Sequence, residues 1–147
     1  MSGRAGVLSV PLGARERRAI LVVGDLAVVG VLTVVALRLG AMRSGWPWSA
    51  RFVAGQAGWF VVLGALWLTV AWANGLYDLR RAPDRWAAAV LSVKASAQVA
   101  AVWALAYFFP PPWTLVRHVV VFFSAGTAVA MPVWRQVYAT VLGHPAF

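Results

Sequence analysis

Two charged residues interrupt otherwise apolar runs, and they are the residues best placed to do chemistry. Asp25 lies within AILVVGDLAVVGVLTVVAL (residues 19–37), and Lys94 lies within the run that begins at Trp86. An unpaired ion in hydrocarbon is costly, so an intramembrane charge needs a partner or a task. Asp25 is seven residues past Arg18, and Lys94 is eight past Trp86. If both helices run the same way, both side chains sit about 10–12 Å in from one membrane edge. Three readings follow. The residues form a functional charge pair or a site for an anionic phosphate at the inner leaflet. They form a structural salt bridge between the first and third spans. Or Lys94 extends alone toward the headgroups. Opposite charges at equal depth need nothing beyond each other, which favours the structural bridge. Gln98, one turn past Lys94, suits an interhelical hydrogen bond.

The most polar segment is NGLYDLRRAPDR (residues 74–85). Its Tyr77, Asp78, Arg80, Arg81, Asp84 and Arg85 make a candidate phosphate-binding or docking patch, because guanidinium pairs well with phosphate. The same composition also describes a solvated turn with local ion pairs, and that reading is preferred. His118 and His144 each stand alone, without an acid in reach by spacing, and read as interfacial and tail residues. Cysteine is absent, which excludes disulfides, thiolate catalysis and Cys-ligated metal. No nucleophile elbow, phosphate-binding loop, zinc-helix or dinucleotide motif is found. With four acids in 147 residues, no catalytic residue, metal or cofactor is assigned to this chain.

The elements that would carry these residues are membrane helices. Hydrophobic residues make up 62% of the chain and charged residues 12%. A soluble core of this size leaves much of that apolar surface in water, whereas lipid accepts it. The sequence predicts an all-α integral membrane bundle of four transmembrane helices at about 19–37, 52–73, 86–109 and 116–133. A tail over residues 1–18 precedes the 19–134 membrane domain, and a tail over 135–147 follows. The first run is too long for a secretory signal, carries Asp25 and lacks a cleavage site, so it reads as a retained anchor. Pro110, Pro111 and Pro112 stop the third span. Pro132 is expected to kink the fourth. Gly55, Gly58 and Gly64, with Ala54, Ala57 and Ala65, put small residues at helical spacing on the second span, where neighbours can approach closely.

Eight Lys/Arg fall in the N-terminal tail, second loop and C-terminal tail, against four in the first loop and third link. The richer side is normally cytoplasmic, which gives an N-in/C-in, multi-pass protein. The tryptophans support two belts: Trp46, Trp48, Trp59 and Trp113 outside, Trp72, Trp86 and Trp134 inside, with Trp67 and Trp103 packed deeper. The net charge of +9 arises from arginines that flank apolar runs, so the partner is the lipid bilayer and not nucleic acid.

The order of these features resembles the N-terminal membrane region of bacterial polyprenyl-phosphate sugar-1-phosphate transferases, the priming glycosyltransferases of exopolysaccharide and O-antigen synthesis. The matching words are RRAILVVGDLAVV (17–29), LTVAWANGLYDLRR (68–81), a proline-rich link, VRHVVVFFSAG (116–126) and VWRQVYA (133–139). The resemblance implies four anchoring helices in the cytoplasmic membrane. It also implies polyprenyl phosphate as a lipid partner and a soluble catalytic domain or subunit as a protein partner. The family's catalytic acids and magnesium chemistry belong to domains outside these 147 residues, so none of its catalytic residues carries over. The chain then reads as a fragment, a split gene product or a degenerate relative, acting as anchor and scaffold. Two other readings stand beside it: a small four-helix flippase for polyprenyl-linked sugars, and an accessory subunit of a membrane complex.

Overall fold

The computed structural model of the chain describes residues 13–78, 85–107 and 117–141. Among these residues the structure is helices joined by turns, with no strand. The helices are α1 (Ala14–Ser44), α2 (Ala50–Gly55), α3 (Ala57–Ala73), α4 (Arg85–Tyr107) and α5 (Arg117–Val141). Three of them contain stretches long and apolar enough to cross a membrane: Ala14–Ser44, Trp86–Leu105 and His118–Val141.

The second expected span is not one helix. It is broken at Gln56 into α2, of six residues, and α3, of 17. At ~1.5 Å per residue α3 is about 25 Å long, short of a ~30 Å hydrocarbon core. Ser49 caps α2 by accepting from the Phe52 N–H at 3.1 Å. Gly55 then weakens the next turn, and the Gln56 N–H turns back to the Val53 carbonyl at 3.0 Å. The other helices outrun their hydropathy. α1 has 31 residues and α5 continues through Pro132 to Val141. Hydropathy marks the part that needs lipid, while the polar turns at either end satisfy their backbone groups by staying helical. The α1 start is closed by Glu16, whose carboxylate accepts from the Gly13 N–H at 2.8 Å.

α1 packs against α3 and α5, and α4 packs against the same two helices. α1 and α4 are therefore diagonal across the bundle. The shared core holds Leu21, Val29 and Leu37 from α1, Leu63 and Trp67 from α3, Val99 and Trp103 from α4, and Phe123 and Met131 from α5. Outside it, Val23, Val31, Val61, Leu105, Val121 and Val129 are all more than half exposed. Apolar faces this bare are what lipid-facing helices present.

The small residues that matter are not those of the second span. A Cβ on Gly55 or Gly58 would meet open space, and only Gly64 is in tight contact there, 3.3 Å from Leu26. Close approach instead joins α1 to α5. A Cβ at Gly24 would overlap the Trp134 ring, one at Gly40 would sit 2.5 Å from Val119, and one at Gly126 2.8 Å from Leu32. Gly24→Ala is therefore expected to destabilise the bundle by about 1–3 kcal/mol through overpacking. Gly30→Ala, on the same helix but with no neighbour within 4 Å of its Cβ, should be neutral. Thermal unfolding of the two variants in detergent micelles measures the contrast.

Candidate functional site: a buried, paired carboxylate in the bundle

Asp25 points into the interior of the bundle and is 0% exposed. Four side chains from three other parts of the chain donate to it. Arg135 on α5 places Nη2 2.7 Å from Oδ2. Tyr77, in the turn beyond α3, donates its hydroxyl to the same oxygen at 2.8 Å. Trp67 on α3 donates its indole N–H to Oδ2 at 3.2 Å, and Trp134 on α5 donates to Oδ1 at 3.0 Å. Three of these donors crowd Oδ2 and one reaches Oδ1, so both oxygens of the carboxylate are hydrogen-bonded. The single positive charge of Arg135 balances its negative charge.

Arg135 is itself only 4% exposed. Its Nη1 donates to the Leu76 carbonyl at 3.1 Å, and its guanidinium lies 5.3 Å from the centre of the Tyr77 ring. The turn that delivers both groups depends on Gly75, whose φ of 70° is the left-handed geometry that glycine adopts without strain. That geometry lets the Leu76 N–H bond back to the Ala71 carbonyl at 3.0 Å and directs Tyr77 inward. On α5 the neighbours Trp134 and Arg135 both reach Asp25, and Gly24 leaves room for the Trp134 ring against α1. Near the same end, the Tyr138 hydroxyl donates to the Arg17 carbonyl at 3.4 Å, a long bond.

The structure does not join Lys94 to Asp25. Lys94 is exposed on α4, which lies diagonally opposite α1, while Arg135 on the adjacent α5 takes the carboxylate. The loop patch is also divided. Tyr77 is buried against Asp25, and Asp78 is exposed. Arg80, Arg81 and Asp84 lie outside the described residues, as does the side chain of Arg85. Gln98 accepts a hydrogen bond from the Asn74 side chain, which ties the end of α3 to α4. His118 is exposed at the start of α5. Trp67 is buried as expected, whereas Trp134, assigned to the belt, turns its N–H inward. Trp59 is half-buried and stacks on Trp103 at 5.0 Å. Trp46, Trp48, Trp72 and Trp86 stay exposed, and Trp113 is outside the described residues.

Three residues of the site escaped sequence reasoning: Arg135, Trp134 and Trp67. The available signal was the WR pair itself. A tryptophan and an arginine adjacent near the end of an apolar run can point one long side chain back toward a deep acid instead of out to the headgroups.

Among the described residues no three His, Cys, Asp or Glu side chains gather into a metal-binding group. No protein-family model, curated protein or solved structure matches the chain. Fold and site together define a helical protein with membrane-length helices and a neutralised ionic centre that links α1, α3 and α5.

Removing one partner of a buried ion pair strands the other, at about 3–5 kcal/mol. Asp25→Asn and Arg135→Gln should each lower the unfolding temperature sharply in micelles. The double variant should cost less than their sum, and Lys94→Ala should change little. Tyr77 gives a pH test. Burial, and then the adjacent Asp25 carboxylate, raise its hydroxyl far above the ordinary value of 10.0. The folded chain thus holds this proton more tightly than the unfolded chain. The resulting stabilisation is complete below pH 10 and is lost as pH rises beyond it. Wild type should therefore lose stability above pH 10 more steeply than Tyr77→Phe, as read from unfolding temperature against pH.

Proposed function

We propose that this chain is a membrane anchor and scaffold of the polyprenyl-phosphate sugar-1-phosphate transferase type, serving exopolysaccharide synthesis at the bacterial cytoplasmic membrane. The observation that carries the reading is the state of the one deeply buried acid among the described residues. Asp25 accepts four hydrogen bonds, three at Oδ2 and one at Oδ1, and Arg135 balances its charge, so it serves as a structural tie between helices. Its donors come from α3, the following turn and α5, the parts a scaffold must hold together. The words of the resemblance also fall on this cluster: GD in the first, GLYD in the second and WRQVY in the last contain Asp25, Tyr77 and Arg135.

In this reading α2 and α3 together make the second crossing, and four crossings put both tails on the cytoplasmic side. That side is the one bearing Arg15, Arg17 and Arg18 near the start of α1 and Arg135 near the end of α5. Transport has less support. The buried hydroxyls of Thr33, Ser92, Ser96 and Thr127 bond to carbonyls of their own helices instead of lining a path.

Reporter fusions test the topology: both termini should score cytoplasmic and the connection between α1 and α2, residues 45–49, periplasmic. Termini on opposite sides would end this proposal. Co-purification tests the role: the chain should recover a sugar-phosphate transferase domain from its native membrane, and Asp25→Asn should weaken that recovery.

A further inference from the structure

The guanidinium of Arg135 is held in two ways. Its flat face lies on the Tyr77 ring, and its N–H groups reach the Asp25 carboxylate and the Leu76 carbonyl. Toward the other end of α1 the chain repeats the first half of that arrangement. Arg38 places Cζ 5.2 Å over the Trp48 ring. Trp48 is braced in turn: its ring lies 6.0 Å from Phe52, which also meets Trp46 edge-on at 5.7 Å. The corner that carries these rings is fixed locally. Gly45, at φ 69°, ends α1 in the left-handed geometry, the Trp46 N–H returns to the Ala41 carbonyl at 3.0 Å, and Ser49 caps α2. Pro47 restricts the backbone between the two indoles. The second half of the arrangement is missing. Arg38 is exposed, and among the described residues no hydrogen bond or ion pair takes up its five N–H donors. Residues 38–56 hold three arginines and neither Asp nor Glu, so the segment supplies no carboxylate of its own. Asp25 stands 13 residues back along α1, about 20 Å at helical rise, and is buried in its own pair.

We infer that Arg38, stacked on Trp48, is a preorganised receptor for an oxyanion, and that the oxyanion is a lipid-headgroup phosphate in the leaflet at the Gly45 end of α1. Stacking fixes the plane of the guanidinium and leaves its donors to an outside acceptor, and a planar fork matches two oxygens of a phosphate. Position selects a lipid as the source. Arg38 is the first residue past the apolar run 19–37. Trp46 and Trp48 beside it are 43% and 37% exposed, as indoles at the headgroup level are. With three cations and no acid over 38–56, a headgroup of net negative charge is preferred to a zwitterionic one. Trp48 is a positioning residue, because it acts on the phosphate only through Arg38. The inference requires that the chain reside in a bilayer. It does not require the anchoring role: loss of Arg38 should leave the location of the termini and the recovery of a transferase domain unchanged, so the two readings fail separately.

The test uses the full chain in mild detergent and native mass spectrometry with added phosphatidylglycerol or phosphatidylcholine. Phosphatidylglycerol should be retained in preference. Arg38→Gln should weaken its binding about fivefold, as expected for one cation near an anionic headgroup. Helicity and unfolding temperature should stay as in wild type, since Arg38 is exposed. Arg38→Lys keeps the charge without the fork and should bind more weakly than wild type. Trp48→Leu leaves every charge in place and should also weaken binding, by releasing the guanidinium. Arg43→Gln removes the same charge from the same end of α1 and should have a smaller effect. Equal losses in Arg38→Gln and Arg43→Gln would show diffuse attraction and overturn the inference. So would wild-type binding by Arg38→Gln or by Trp48→Leu, or equal retention of phosphatidylcholine. Displacement of the lipid by inorganic phosphate at equal concentration would assign the site to a free anion and overturn the lipid source.

Discussion

A carboxylate without water must be neutralised and fully hydrogen-bonded, and most of this bundle follows from that requirement at Asp25. Its ion pair with Arg135 fixes which helix lies beside α1. Its bonds to Trp67 and Tyr77 fix how α3 ends and where the following turn goes. In hydrocarbon the alternatives are poor, because an apolar bundle gains little from one packing over another when lipid solvates the helices equally well. Apolar contacts alone would leave the pairing of α1 with α5 weakly specified. The ionic centre removes that freedom, since α1 in any other position would strand both charges.

The close packing of α1 on α5 supports the same choice. Gly24, adjacent to Asp25, admits the Trp134 ring, and Gly40 and Gly126 admit Val119 and Leu32 further along the contact. Polar specification and small-residue packing therefore act on one interface. The rest of the fold is looser by comparison: α2 buries no residue, and Gly55 and Gly58 face open space.

Much of the helical layout was legible because hydropathy reports solvent directly. The apolar runs around 19–37, 86–109 and 116–133 all correspond to helices. The break at Gln56 was not read, although Gln56 stands between Gly55 and Gly58, because the 52–73 run stays apolar on average and a one-residue interruption barely changes that average. Asp25 was legible as a problem, because any acid in such a run demands a solution. Its partner was not. Depth counting compares Cα positions, and it matched Asp25 with Lys94 while ignoring helix order around the bundle. Arg135 stands near the end of α5, yet its long side chain reaches Asp25. Tyr77 was grouped with charged neighbours by sequence adjacency, whereas the left-handed Gly75 turns it away from them. Which neighbours touch depended on helix order and turn geometry, neither of which the residue types encode locally.

The adjacency of Trp134 and Arg135 has a mechanical meaning. Consecutive helical residues project about 100° apart, yet both side chains converge on one carboxylate, each at a different oxygen. Rotation of α5 about its own axis in either direction would pull one of them off, and sliding along the axis would detach both. α5 is thus keyed like a shaft in a slotted collar, with torque carried by the ionic centre. Val141, where α5 ends, is therefore held at a set azimuth as well as a set height.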